Sequence, residues 1–399
     1  MATAWAEAAV AATDATANTA STKQATNIGL FTAAALLLPG VMPTAARAET
    51  APTEGVVALK ILSYKDWQAN LDRIRVTSPS LYLLAPINGQ WSVEGTLTHD
   101  NVSGASPRWH MNVSGASRMN DVRNAADIKL VRYFGRATIG VRFVYSDEND
   151  YRSNALALDA RFASEDNNTT WNIGLGGAYD TINPVNELVV NEHKRSAELI
   201  VGVTQNVTPV DVVQLNLTYG LGSGYFNDPY KLADIRPRIR NQGVMLARWN
   251  HHFEDSVNRG GSTLRSSFRF YRDTFGINAQ TATVEWVRPL GEWFSITPSL
   301  RYHTQSAAKF YFNPVYDPDI GEPFPVGSPT HFSPDTRLSA FGALTVGVKL
   351  GWKFADKWAA DVKFERYEQR SNWRFGGGGS PGLSPFYAQF WQAGLSRTF

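Results

Sequence analysis

From residue 57 to its last residue the chain repeats one pattern, segments of about ten residues in which apolar and polar side chains alternate, separated by turns rich in Gly, Asn, Asp and Pro. Successive side chains of a strand point to opposite faces, so each segment has one apolar and one polar face. In 91–98, Trp91, Val93, Gly95 and Leu97 alternate with Ser92, Glu94, Thr96 and Thr98. In 137–145, Ala137, Ile139, Val141, Phe143 and Tyr145 interleave with Thr138, Gly140, Arg142 and Val144. The closing segment 384–399 puts Tyr387, Gln389, Trp391, Ala393, Leu395, Arg397 and Phe399 on one face and Gln392, Gly394, Ser396 and Thr398 on the other, with Phe390 breaking the polar row. Strands that offer one face to lipid and one to water must pair all their backbone groups within the protein, so the sheet has to close on itself.

The strands expected are 57–65, 73–87, 90–100, 122–134, 137–146, 152–163, 170–180, 195–208, 210–221, 242–253, 262–273, 277–289, 293–306, 338–354, 357–369 and the closing segment, about sixteen in all. Asn88-Gly89 is the clearest hairpin signal. The fold class is therefore all-β, an antiparallel transmembrane β-barrel, and even parity puts both termini on one side, expected to be periplasmic. On that side most turns are short. The long segments 101–121, 181–194, 222–241, 307–337 and 370–384 fall on the other, although 164–169 and 254–261 are longer than the rule prefers and 274–276 is short. Aromatics segregate by strand end: Trp91, Trp171, Trp249, Trp286, Trp293, Trp352 and Trp358 toward the periplasmic ends, and Tyr145, Tyr179, Tyr219 and Tyr302 toward the external ends, as two interfacial girdles would require.

No stretch after the N-terminal region approaches the roughly 18 to 20 apolar residues of a spanning helix. The chain has no Cys, which removes disulfides, thiol nucleophiles and cysteine-ligated metals, and 38 basic against 36 acidic residues give no reason to expect a nucleic-acid partner. Residues 27–41 form a short apolar core preceded by Lys23 and followed by Pro43 and Ala46-Arg47-Ala48. This predicts a signal peptide over 1–48 cleaved after Ala48, leaving 49–399 as one barrel domain.

The stretch 73–108, with SPSLYLLAPI, the segment from Asp100 to Pro107 that carries SGASP, and YDTINP at 179–184, resembles a family of Gram-negative outer-membrane barrel proteins of unknown function. The resemblance implies an outer-membrane barrel and supplies no catalytic residue. It also suggests the company of small lipoproteins and redox-type periplasmic proteins. The terminal Phe399 resembles the signal by which such barrels are recognised by the barrel-assembly machinery, with Arg397 departing from the apolar residue usual at that place. Membrane lipid and lipopolysaccharide are the implied surroundings.

Alternation turns Arg142, Asp159, Arg161, Glu198, Arg248 and Arg265 to the lumen, together with Arg269, Glu285, Arg301, Lys349, Asp361, Lys363 and Glu365. Such a wall either selects hydrated solutes across a water-filled pore or pairs across strands and fills the interior. The segment 307–335 holds Phe310, Tyr311, Phe312, Tyr316, Phe324 and Phe332 and is expected to pack, as a constriction in the lumen or a cap on the mouth. Its Asp317, Asp319 and Glu322 match no calcium-loop spacing, and no metal or other cofactor is expected. Arg236, Arg238 and Arg240 either attract anions, lipopolysaccharide phosphates among them, or decorate a solvated strand extension. The repeated NVSGAS at 101–106 and 112–117 reads as a local loop duplication. His99, His110, His193, His251, His252, His303 and His331 have no neighbour spaced to build a nucleophile, base and orienter. The expectation is a porin-like channel for small hydrophilic solutes rather than an enzyme. The alternatives are a barrel scaffold holding a periplasmic or lipoprotein partner, and an outer-membrane hydrolase.

Overall fold

The computed structural model describes residues 50–68, 71–105, 118–230, 233–254, 261–313, 325, 327 and 329–399. The expected leader, His110, Tyr316, Asp317, Asp319, Glu322, Phe324 and the second NVSGAS copy lie outside these residues. Among them, sixteen strands follow in chain order: β1 Val56–Gln68, β2 Leu71–Ile87, β3 Trp91–Ala105, β4 Arg118–Tyr133, β5 Ala137–Asp147, β6 Tyr151–Ala163, β7 Thr169–Ile182 and β8 Glu192–Asn206. The second half is β9 Asp211–Gly224, β10 Ile239–Phe253, β11 Ser262–Asp273, β12 Asn278–Leu290, β13 Phe294–Gln305, β14 Phe341–Ala355, β15 Trp358–Arg370 and β16 Phe386–Thr398. Each pairs antiparallel with its sequence neighbours, and β16 pairs with β1 to close the barrel.

Closure is reinforced at the seam, where the Gly55 and Phe399 backbones exchange hydrogen bonds of 2.9 and 3.0 Å. The Asn88-Gly89 turn has φ of 51° and 64°, the left-handed pair that a tight hairpin matched to strand twist requires. Strands run from 11 residues in β5 to 17 in β2, and all but β5 exceed the roughly 9 to 11 that cross the hydrocarbon. The wall therefore stands clear of the lipid. The surplus is at the ends away from the termini, where β3 extends to Ala105, and β9 and β10 reach Gly224 and Ile239, shortening the expected loop from both sides. There both faces meet water or loops, so alternation fades from the sequence although the ladder continues.

Burial alternates along the strands. Leu59, Ile61, Leu81, Leu97, Ile128, Leu158, Leu217, Val346 and Leu395 form an exposed apolar belt around the outside, and the interleaved positions are enclosed. We call the end that carries Val56 and Thr398 the terminal rim and the other the far rim.

Candidate functional site: the lumen wall and its far mouth

All thirteen residues expected to face the lumen occupy enclosed positions, buried or half-buried, opposite the apolar belt. They fall into patches. On β3 to β6, Lys129 Nζ meets Asp159 Oδ1 at 2.8 Å, and Arg142 lies 3.7 Å from Asp127 and 3.9 Å from Glu94. The Lys129–Asp159 bridge steps over β5 at Gly140, where a Cβ would fall 2.6 Å from Lys129 Cε and 2.8 Å from Asp159 Oδ1. A glycine is what lets strands once removed share an ion pair. On β14 and β15, Lys349 lies 3.7 Å from Asp361 and Lys363 3.1 Å from Glu365, with Lys60 of β1 buried on the same enclosed face. On β8 to β10, Gln242 Nε2 donates to Glu198 at 3.2 Å and Arg248 to Gln214 at 3.2 Å. Arg265 stands across from Glu285 in register, and Arg269 and Arg301 are half-buried nearby, Arg269 over the Tyr271 ring at 5.3 Å.

The sequence reading did not single out Lys60, Glu94, Asp127 or Lys129, which alternation alone would have found. It also missed an apolar patch on the inner wall, Leu62 and Tyr64 of β1, Ile74 and Val76 of β2, and Ala388 and Phe390 of β16, with Tyr367 and Phe386 against it. Phe390, which broke the polar row of the closing segment, belongs here, its ring 4.9 Å from that of Tyr64.

The far mouth is covered by connections that pack on one another. Residues 225–230 and 233–238, between β9 and β10, meet residues 306–313 and 329–340, between β13 and β14. Ile235 and Phe332 form an antiparallel bridge with hydrogen bonds of 2.8 and 2.9 Å. Beside it Arg236 donates to Asp234 and, at 2.7 Å, to Asp335, while Arg337 pairs with Asp335 and, at 3.0 Å, with Asp228. Asp234, Arg236 and Asp335 are buried. Burial by itself would lower the Arg337 guanidinium, but Asp335, Asp228 and Asp234 together hold it above its ordinary value, so this guanidinium keeps its charge. An apolar base supports it: Phe310 and Phe226 set their edges against Phe275, at 4.9 and 5.8 Å, among Val244, Tyr271, Ile277, Ala308 and Leu338. Further ties run from Tyr230 to Asp150 at 2.6 Å, from Asn186 to the Pro229 carbonyl at 2.9 Å, and between Ala340 and Ser380. The described aromatics of the segment 307–335, Phe310, Tyr311, Phe312 and Phe332, thus pack on one another, on neighbouring connections and on the wall at the mouth.

The reading of the three loop arginines as an anion-attracting patch is corrected, and the reading as a solvated strand extension holds for Arg238 alone. Each is held by a carboxylate from elsewhere in the chain: Arg236 by Asp335, Arg238 by Glu192 at 2.6 Å, and Arg240 by Asp273 at 2.8 Å. They form no free basic patch: Arg236 and Arg240 are enclosed, where a guanidinium requires a partner, and Arg238 stands in solvent with Glu192 beside it.

Of the aromatics, Trp91, Trp171, Trp249, Trp286, Trp352 and Trp358 lie near the terminal-rim ends of their strands and Trp293 in the turn between β12 and β13. Tyr145, Tyr179, Tyr219 and Tyr302 lie toward the far rim. Arg397, unusual before a terminal Phe, stacks on the Trp358 ring at 5.4 Å. Among the histidines, His251 Nδ1 is 2.7 Å from Asp211 on the outward face beside Trp249, and Thr208 donates to the same carboxylate. The acid sits between imidazole and hydroxyl, the reverse of the order in which a base activates a nucleophile. His303 is enclosed, its Nδ1 2.8 Å from Thr281 Oγ1.

A closed antiparallel barrel with an outer apolar belt is the architecture of Gram-negative outer-membrane proteins, and this chain is an outer-membrane β-barrel. No curated protein matches it. Solved structures similar to it include CdiB from Acinetobacter baumannii, at 9% identity and a TM-score of 0.49, with 85% of this chain covered. The chain spans 60% of the length of CdiB. A bacterial polysaccharide outer membrane secretin matches at 9% identity and a TM-score of 0.49, over 86% of this chain and 98% of that one. The outer membrane protein opdK from Pseudomonas aeruginosa matches at 9% identity and a TM-score of 0.41, over 86% and 99%. The family model described as "Protein of unknown function (DUF3570)" matches residues 115–390, more than half the chain, and the chain belongs to that family.

Proposed function

We propose that the barrel is a gated channel for small hydrophilic solutes, with its termini and short turns in the periplasm and its covered far mouth at the cell surface. The observation that carries this reading is the lumen wall of both signs. Buried ion pairs are commonly no better for stability than well-packed apolar side chains of the same volume, so an interior that only had to be filled would have little use for so many. Facing water, the same charges set a transverse field that sorts solutes by charge and width. The packed connections at the far mouth supply the gate.

The test is single-channel conductance of residues 49–399, refolded and inserted in a planar bilayer under a salt gradient. Open steps with a defined reversal potential are the expected result. A folded barrel that never conducts, even with the mouth cluster broken, would overturn the reading and turn attention to a periplasmic or lipoprotein partner seated in the lumen.

A further inference from the structure

The outward face of the seam carries a feature unrelated to the lumen. Arg366 of β15, Gln389 of β16, Lys65 of β1 and Arg75 of β2 stand directly across from one another in register, one row over four adjacent strands. With strands about 4.8 Å apart the row is about 14 Å wide. All four side chains point away from the lumen, since the residues between them, Glu365, Tyr64, Val76 and Phe390, are enclosed. A bulge between β1 and β2 at Lys65 and Trp67 lets Asp72 and Arg75 both face outward, with Arg73 between them turned in.

The row lies at a boundary. One step toward the rim come Glu368, Tyr387, Trp67 and Asp72, and the next steps toward the middle of the wall bring Phe364 and Trp391, then Val362, Ala393 and Ile61, then Leu395, Leu59 and Leu81. The cations therefore sit where the apolar belt ends, at headgroup depth. Their charge is only partly met among the described residues. Asp72 is shared by Lys65 at 2.9 Å and Arg75 at 2.7 Å, and Glu368 pairs with Arg370. Arg366 has aromatic neighbours instead, its Cζ 4.1 Å from the Trp67 ring and 5.6 Å from that of Tyr387, two rings stacked 5.8 Å apart. Lys65, Arg75, Arg366 and Arg370 against Asp72 and Glu368 leave two positive charges in excess. Among the described strand residues, the outward arginines Arg152, Arg195 and Arg272 of this rim stand singly in their rows.

We infer that this row is a binding site for the phosphates of an outer-leaflet glycolipid, with acyl chains against Phe364, Trp391 and the belt below, and phosphates across Arg366, Lys65 and Arg75. Guanidinium and ammonium groups at a lipid interface bind phosphate, and the stacked rings hold Arg366 in place without neutralising it. The site rests on the orientation proposed above and not on conduction.

The test is titration of the folded barrel, in uncharged detergent micelles, with lipid A, with dephosphorylated lipid A and with inorganic phosphate, counting bound lipid by native mass spectrometry. Wild type should retain lipid A and release the dephosphorylated form. The combined Lys65→Gln, Arg75→Gln and Arg366→Gln variant should bind on the order of a hundredfold more weakly, as three interfacial cations predict. Arg132→Gln with Arg288→Gln, outward at the terminal rim, should bind as wild type. If the triple variant fails to fold, Arg366→Gln alone should still show several-fold weaker binding. Equal retention of dephosphorylated lipid A, displacement by inorganic phosphate at matched concentration, or equal loss in the terminal-rim variant would overturn the inference.

Discussion

The ring of Phe399 lies over the α-carbon of Gly55, so close that a Cβ there would come within 2.4 Å of the ring. The residue after the closing strand is thereby keyed to the residue before the first, at the place where the barrel is joined by strands from opposite ends of the chain. Gly55→Ala should force the ring or the seam apart, at about 1–3 kcal/mol for such overpacking. The measurement is the temperature at which the folded band is lost in detergent electrophoresis. It should fall for Gly55→Ala and hold for Gly243→Ala, whose added Cβ meets nothing within 4 Å.

Asp335 accepts from both Arg236 and Arg337 in the mouth cluster. Asp335→Ala removes the acceptor shared by the buried Arg236 and the half-buried Arg337 and leaves each with one carboxylate, Asp234 and Asp228. Limited proteolysis within 225–238 and 329–340 should accelerate, and the channel should spend more of its time open, while the unfolding temperature of the strands changes little.

The absence of cysteine allows the mouth to be locked chemically. Ile235 and Phe332 are partners in an antiparallel bridge, a spacing of about 5.5 Å between α-carbons that a disulfide spans. Ile235→Cys with Phe332→Cys should conduct only under reducing conditions, and each single variant should ignore the redox state. Equal conductance of the oxidised pair would place the permeation route elsewhere.

Lys60, Lys349 and Lys363 lie on enclosed positions of β1, β14 and β15 with Asp361 and Glu365. Replacing the three lysines by Gln leaves the carboxylates in excess on that side of the lumen. The reversal potential under a salt gradient should move toward cation selectivity, with a modest change in conductance.

How much of this was legible in the sequence depends on distance along the chain. Strand number followed from alternation because a membrane wall sorts side chains at every second residue, and Trp91, Arg142 and Lys363 could be assigned to faces from their neighbours alone. The pairing of Arg236 with Asp335, 99 residues away, and of Arg337 with Asp228, 109 away, obeys no period. The sequence showed that the aromatic segment around Phe310 had to pack, since so many rings are not left in water, but not that Phe275 and Phe226 receive it. Similarly, Arg236, Arg238 and Arg240 looked alike in sequence because their acids come from three distant places, the connection before β14, the start of β8 and the end of β11. The row of Arg366, Lys65 and Arg75 was hidden for another reason: it exists only once the ends of the chain have met.

Residues 225–230 and 233–238 are tied at once to Asp150, Asn186, Phe275 and Asp335, which belong to four separate parts of the far rim. A lid fastened on so many sides has no hinge. Weakening one tie shifts the balance for the whole lid without freeing one side of it, so it moves all together or not at all. Electrical recordings should accordingly switch between two levels instead of drifting through partial ones, and a weakened tie should alter how often the switch is thrown before it alters the height of the step.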